Sequence, residues 1–187
     1  HGLRESGYQF QDSVLITGAG PIGLLMGLTL RAAGATTVYI SEMADARLKK
    51  CRDFGFIPID LKTTDPLLYI KERTGGEGVD LLIEASGSAP AALQMTELVR
   101  VRGRILMLSV HKEARPVDLR QVNFKEITIN GARVYRRRDY EIAIEQAPRM
   151  KNELAQVISA RIPLADAARA FEPSAAANNL KILIDCR

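Results

Sequence analysis

The sequence has no tryptophan, two cysteines and two histidines, and only 5 % of its 187 residues are aromatic. Each scarcity removes a class of chemistry. A structural zinc site wants four Cys or His ligands at close spacing, and a catalytic one wants three ligands from His, Cys or carboxylate. Cys51, Cys186, His1 and His111 offer neither spacing, so no metal site is expected. Two distant cysteines build no disulfide framework and read as reduced, buried thiols of a cytoplasmic protein. No apolar run approaches the roughly 20 residues of a membrane span, and the N-terminus lacks a signal-peptide core, so no membrane partner is expected. Charge is nearly balanced, with 26 Lys and Arg against 22 Asp and Glu. That small excess attracts phosphates weakly and is far from the composition of a nucleic-acid binder. The run Arg136-Arg137-Arg138, with Arg133, reads as a solvated face, because only Tyr135 and Tyr140 offer aromatic surface beside it.

What is present is a 47 % hydrophobic content laid out as short apolar segments alternating with amphipathic ones. This is the pattern of an α/β fold, a doubly wound parallel sheet of the Rossmann type with about six strands and helices on both faces. Strands are expected at Ser13 to Thr17, Thr37 to Ser41, Ile57 to Ile59, Val79 to Glu84, Arg104 to Val110 and Glu126 to Gly131. Helices are expected at Ile22 to Ala33, Ala44 to Phe54, Asp65 to Thr74 and Ala91 to Val101, several of them stopped by glycine. Asp139 to Met150 and Lys151 to Ser159 read as helical, with a break at Pro148. A final helix at Ala165 to Phe171 and a strand at Leu180 to Cys186 flank a loop from Glu172 to Asn179 that contains the Ala-rich Ala175 to Ala177.

The segment VLITGAGPIGLL carries the most specific signal. Gly18, Gly20 and Gly23 fit G-x-G-x-x-G, and the match follows an expected strand and opens an expected helix. The first glycine permits a tight turn, the second lets the backbone approach a pyrophosphate, and the third lets helix and strand pack closely. Backbone N–H groups and the helix dipole at Ile22 to Leu24 would hold the anion. Pro21 has no N–H and would set φ at the first helical position. An acid at the end of the second strand is then required for the adenosine ribose hydroxyls, and Glu42 stands there. Its carboxylate would repel a 2′-phosphate, so NAD is expected over NADP; the small hydroxyl residue Ser41 works the other way. Arg47 reads either as a ribose or adenine contact or as a solvated helix residue.

On these segments the chain resembles the medium-chain, zinc-type alcohol dehydrogenases. GAGPIGLL, ISEMADARL, GVDLLIEASG, RGRILMLSV, KEITINGARVY with RRRDYEIAIE, and VISARIPLADAARAFE with KILIDC are similar in order to the second half of that family, in the flavour of the sorbitol, polyol and L-threonine dehydrogenases. The resemblance implies that Gly18, Gly20, Pro21, Ile22 and Gly23 form the pyrophosphate loop, that Glu42 binds ribose and that Arg47 is the basic residue after it. It places Ala85, Ser86 and Gly87 at the turn after the fourth strand, where the cofactor's ribose and nicotinamide side passes. Leu108, Ser109 and Val110 would end the fifth strand, where backbone groups meet the carboxamide; many relatives have glycine where Ser109 stands.

The family's catalytic and structural zinc ions belong to a domain that precedes the dinucleotide-binding half, and their ligands are missing here. The start therefore reads as a cut inside a fold, and the chain as a cofactor-binding domain that is inactive alone. The expected division is residues 1–12 as the end of a linker helix, 13–150 as the NAD-binding domain and 151–187 as a segment returning to the absent catalytic domain. Without those partners, Leu180 to Cys186 would expose a sheet edge, which predicts a homo-oligomer or swapped pairing through that strand or through Ile127 to Ile129. A stand-alone NAD-sensing or interaction module is the competing reading. His111 reads as a solvated loop residue rather than a base, and Cys51 as a thiol packed against the sheet rather than a reactive one.

Overall fold

The computed structural model describes residues 1–172 and 179–187. The chain divides into two compact units, His1–Arg137 and Arg138–Arg187. The first is built on a sheet whose strands are β1 (Val14–Thr17), β2 (Val38–Glu42), β3 (Ile57–Asp60), β4 (Val79–Glu84), β5 (Val99–Met107) and β6 (Thr128–Gly131). The order is β3-β2-β1-β4-β5-β6, with every neighbouring pair parallel. Strand order therefore reverses between β1 and β4, and the carboxyl ends of those two strands border the crevice where doubly wound sheets bind ligands.

Helices cover both faces because side chains alternate across the strands. On one face Leu15, Tyr39, Leu82 and Ile105 form a core with Ile70 of α4 (Pro66–Arg73) and Met95 and Leu98 of α5 (Ala89–Leu98). Val122 of α6 (Leu119–Phe124), a helix absent from the expected elements, packs against the same cluster. On the other face α2 (Pro21–Ala32) rests on Ile16, whose Cγ2 would lie 3.4 Å from a Cβ at Gly23. The helix α3 (Asp45–Asp53) buries Leu48 and Cys51. The N-terminal segment, opened by α1 (Gly2–Glu5), is tied to β5 by Arg104, which donates to the Gly7 carbonyl and to Asp12, each at 2.7 Å.

Three boundaries differ from expectation around β5. The helix expected to reach Val101 stops at Leu98, and the strand starts at Val99 rather than Arg104 and ends at Met107 rather than Val110. Val99 and Val101 are β-branched and alternate with arginines, a period of two that suits a strand. Glycine and a positive φ at Arg102 (58°) then shift the register, so that Val99 pairs with Val79 while Arg104 pairs with Leu81. At the other end the Leu108 and Ser109 N–H groups both donate to the Glu84 carbonyl, at 2.9 and 3.1 Å, and the ladder ends.

The second unit contains most of α7 (Arg137–Gln146), a 3₁₀ turn at Ala147–Met150, α8 (Lys151–Val157), β7 (Ile158–Pro163), a 3₁₀ helix at Leu164–Phe171 and β8 (Lys181–Asp185). The break expected at Pro148 appears as the 3₁₀ turn. The helix expected to continue to Ser159 ends at Val157, because Ile158, Ala160 and Ile162 alternate as half-buried residues with exposed Ser159, Arg161 and Pro163. This unforeseen strand pairs in parallel with β8. The last strand thus has β7 as a neighbour, and in a two-stranded sheet its other edge has no strand beside it among the described residues. The expected loop from Glu172 to Asn179, with Ala175 to Ala177, falls on 173–178, outside the described residues.

Candidate functional site

The glycine joint links β1 to α2 at the carboxyl edge. Gly18 takes φ +94°, a region closed to most side chains, and a Cβ there would stand 3.1 Å from the Ser86 backbone. Its N–H donates to the Ser41 carbonyl at 2.8 Å. Gly23 is the packing glycine: a Cβ would meet the Gly18 carbonyl oxygen at 2.0 Å. At Gly20 a Cβ would meet nothing within 4 Å, so this glycine is not demanded by the protein's own packing. Gly20 is the N-cap of α2, with Pro21 in the first turn and no side chain capping the end. Its first N–H groups therefore face the crevice without intrahelical acceptors.

Glu42, at the end of β2, is braced by backbone. Its Oε1 accepts from the Met43 and Ala44 N–H groups at 2.8 and 3.1 Å, and Oε2 accepts from the Ala19 N–H at 3.1 Å. One carboxylate thus spans the β2 turn and the glycine joint. Arg47 Nη1 lies 3.5 Å from Oε2, so the arginine is paired with the acid rather than free in solvent. A cavity of about 520 Å³ opens beside these groups, lined by Gly18, Gly20, Glu42, Arg47, Ala85 and Ser86 among others, with Met43, Leu61, Pro66 and Pro90 as apolar wall. Open space at the one glycine of the joint that packing does not require, bare helix N–H groups and an acid at the next strand fit a dinucleotide's pyrophosphate and ribose.

Across the switch point lies a second cluster, centred on a residue the sequence reading did not single out. Glu84 ends β4 and is fully buried. Its Oε1 accepts from the Ser86 and Gly87 N–H groups, both at 2.9 Å, from Ser86 Oγ at 2.6 Å and from Thr17 Oγ1 at 3.3 Å. Its Oε2 accepts from Ser109 Oγ and faces His111 Nε2 at 3.2 Å. Burial pushes this carboxyl's pKa up, but the Ser109 and Ser86 hydroxyls and the two N–H groups outweigh it and hold it below the usual glutamate range. The signal in the sequence was a lone charge closing the apolar run VDLLIE, where an unpaired acid would be too costly to bury.

Of the residues expected to form the site, Gly18, Gly20, Glu42, Arg47, Ala85 and Ser86 line one cavity, and Pro21, Ile22 and Gly23 form the first turn beside it. Leu108, Ser109 and Val110 follow β5 instead of ending it. Ser109 joins Glu84, Leu108 packs near Gly2, and Val110 is exposed. His111 is not a solvated loop residue: only 14 % of its side chain is exposed, because Glu84 draws it in. Cys51 is buried, and burial pushes its thiol pKa up to about 12, so it is inert packing as expected. Among the described residues no three His, Cys, Asp or Glu side chains form a group able to hold a metal ion, and no helix is long and apolar enough to cross a membrane.

Comparison with known proteins agrees with this geometry. The family model for zinc-binding dehydrogenases matches residues 21–149. A 2-dehydro-3-deoxy-L-galactonate 5-dehydrogenase of Pseudoalteromonas atlantica is 35 % identical, covering 100 % of this chain and 54 % of that protein. An L-threonine 3-dehydrogenase of Streptomyces avermitilis is 33 % identical over 93 % of this chain and 51 % of its own length. The chain therefore spans about half the length of these curated relatives. A solved structure from Sinorhizobium meliloti 1021 with NADP bound, 27 % identical, superposes with a TM-score of 0.87 over 100 % of this chain and 56 % of that one. Six parallel strands in this order, a glycine joint at the switch point and a family match over more than half of the sequence make the chain a member of the zinc-binding dehydrogenases of the medium-chain dehydrogenase/reductase superfamily.

Proposed function

We propose that this chain is the NAD(H)-binding domain of an alcohol or polyol dehydrogenase, seating the nicotinamide for hydride exchange with a secondary alcohol. The observation that carries this reading is the Glu42 carboxylate, braced by the Ala19 N–H at the lip of the glycine joint. In that position the acid meets ribose hydroxyls and disfavours a 2′-phosphate by charge. NAD is therefore favoured over NADP, although a relative carries NADP. Gly18, Gly20 and the Pro21-Ile22-Gly23 turn take the pyrophosphate, and Arg47 balances the acid and reaches the same cavity. Ala85 and Ser86 border the path toward β4. Bound NAD supplies the hydride acceptor. The chain's own residues bind and orient it; alcohol activation falls to groups outside the described residues, so the chain alone is expected to be inactive.

The reading is tested by titrating the protein with NADH and following nicotinamide fluorescence. Saturable binding is expected. No binding at millimolar NADH would overturn it.

A further inference from the structure

The cavity assigned to the cofactor lies at the carboxyl edge of the sheet. A second cavity, of about 450 Å³, opens at the opposite end, beside the first residues of β4 and β5. Lys71 of α4, Glu97 of α5, Arg100 of β5, Gln121 of α6 and its C-cap Lys125 line it, with Glu77 on the rim.

Its floor is half-buried and cationic. Arg100 Nε donates to Asp80 Oδ1 at 2.5 Å and Nη1 to the Val101 carbonyl at 2.7 Å. These bonds fix the guanidinium and leave Nη2 without a hydrogen-bond partner among the described residues. Lys125 Nζ donates to the Thr96, Glu97 and Val99 carbonyls at 2.9, 3.4 and 2.9 Å. Three acceptors use every proton of the ammonium and offset the carbonyls left bare at the end of α5. What Lys125 offers the cavity is therefore a fixed charge. Burial lowers its pKa and the positive Lys71 lowers it further, against an opposing pull from Glu97, so two like charges share this space.

Neither the Lys71 ammonium nor the Gln121 side-chain amide has a hydrogen-bond partner among the described residues. The cavity thus gathers three open donors from α4, β5 and α6, with one more charge behind them. A tetrahedral dianion supplies an oxygen for each donor and gains more from the cations than a planar monoanion does. Glu77 and Glu97 oppose any anion, but both are exposed, where salt screens them and their side chains are free to turn to solvent.

We propose that this cavity binds the phosphate group of a small phosphorylated ligand, through Arg100 Nη2, the Gln121 amide and the Lys71 ammonium. The site is separate from the glycine joint and does not depend on the dinucleotide reading.

The test is a titration with inorganic phosphate at constant ionic strength, followed by residue-resolved ¹H–¹⁵N NMR, because phosphate also meets the bare start of α2. The Gln121 and Lys125 amide resonances should move saturably, half-saturating at about 10 mM or below. Lys71→Ala should weaken that response about threefold and leave the response of Gly20 to Leu24 unchanged, whereas Glu97→Gln should strengthen it about twofold. Both side chains are exposed, so these variants keep the fold. Acetate should bind about fivefold more weakly than phosphate. Gln121 and Lys125 resonances that stay in place or never saturate, an affinity indifferent to both substitutions, or equal affinity for acetate would overturn the assignment.

Discussion

The two halves of the carboxyl edge are built by different means. Over β1 and β2 the surface is backbone: a glycine that leaves space, helix N–H groups and one acid braced by three N–H groups. Over β4 and β5 it is side chain, with one buried carboxylate gathering Thr17, Ser86, Ser109 and His111. The first half keeps open space at Gly20 and tolerates little change in Gly18 or Gly23. The second half spends its hydrogen bonds on itself. Backbone sites are specified by where a Cβ is forbidden, and side-chain sites by which donors a buried charge demands.

The largest effect is expected on the β4–β5 side. Glu84→Ala strands two N–H groups and three hydroxyls around a buried space and should cost about 3 kcal/mol or more in urea unfolding. A loss under about 1 kcal/mol would show the cluster to be dispensable. On the β1–β2 side, Gly23→Ala drives a methyl into the Gly18 carbonyl and should cost about 2 kcal/mol, with α2 displaced. Equal stability with Gly23→Ala and wild type would mean that the close approach is relieved by a small shift.

The contrast in legibility follows the same line. The joint could be read because its parts are consecutive: a strand, three spaced glycines, Pro21 and an acid one βαβ unit later, each with a steric or electrostatic reason. The doubly wound parallel sheet was legible from alternation of segment types. The Glu84 cluster was not, since its members are separated by 67, 2, 25 and 27 positions and none is unusual alone. His111 beside Lys112 and Glu113 looked solvated, and only the three-dimensional arrangement brings it to a buried carboxylate. The start of β5 and all of β7 were missed for a local reason. Short Val and Ile alternations adjoining helices resemble helix ends until a neighbouring strand pairs with them.

Acid offers a subtler separation of the two halves. Glu84 has its pKa lowered in the folded state, so the unfolded chain takes up that proton first as pH falls. The stability it contributes is complete above the unfolded glutamate pKa of about 4.3 and is lost as pH falls through the folded value. Unfolding free energy of wild type should therefore decline more steeply below about pH 4.5 than that of Glu84→Gln. Parallel curves would remove Glu84 from the acid response.

The smallest effect on stability should come with a large one on binding. Gly20→Ala meets no atom within 4 Å and exchanges a fair N-cap for a poor one, costing about 1 kcal/mol or less. Its methyl enters the space assigned to the pyrophosphate, so NADH affinity should fall about tenfold or more. Unchanged affinity would place the phosphates elsewhere.

The central claim is that Glu42 and the glycine joint hold the adenosine side of NAD. Calorimetric titration of wild type and Glu42→Ala with NADH and NADPH tests it most directly. Wild type should prefer NADH by about tenfold or more, from one carboxylate facing a 2′-phosphate in a partly desolvated site, and Glu42→Ala should weaken NADH and bring the two ligands close together. Equal affinity of wild type for both, or a preference that survives Glu42→Ala, would contradict the account.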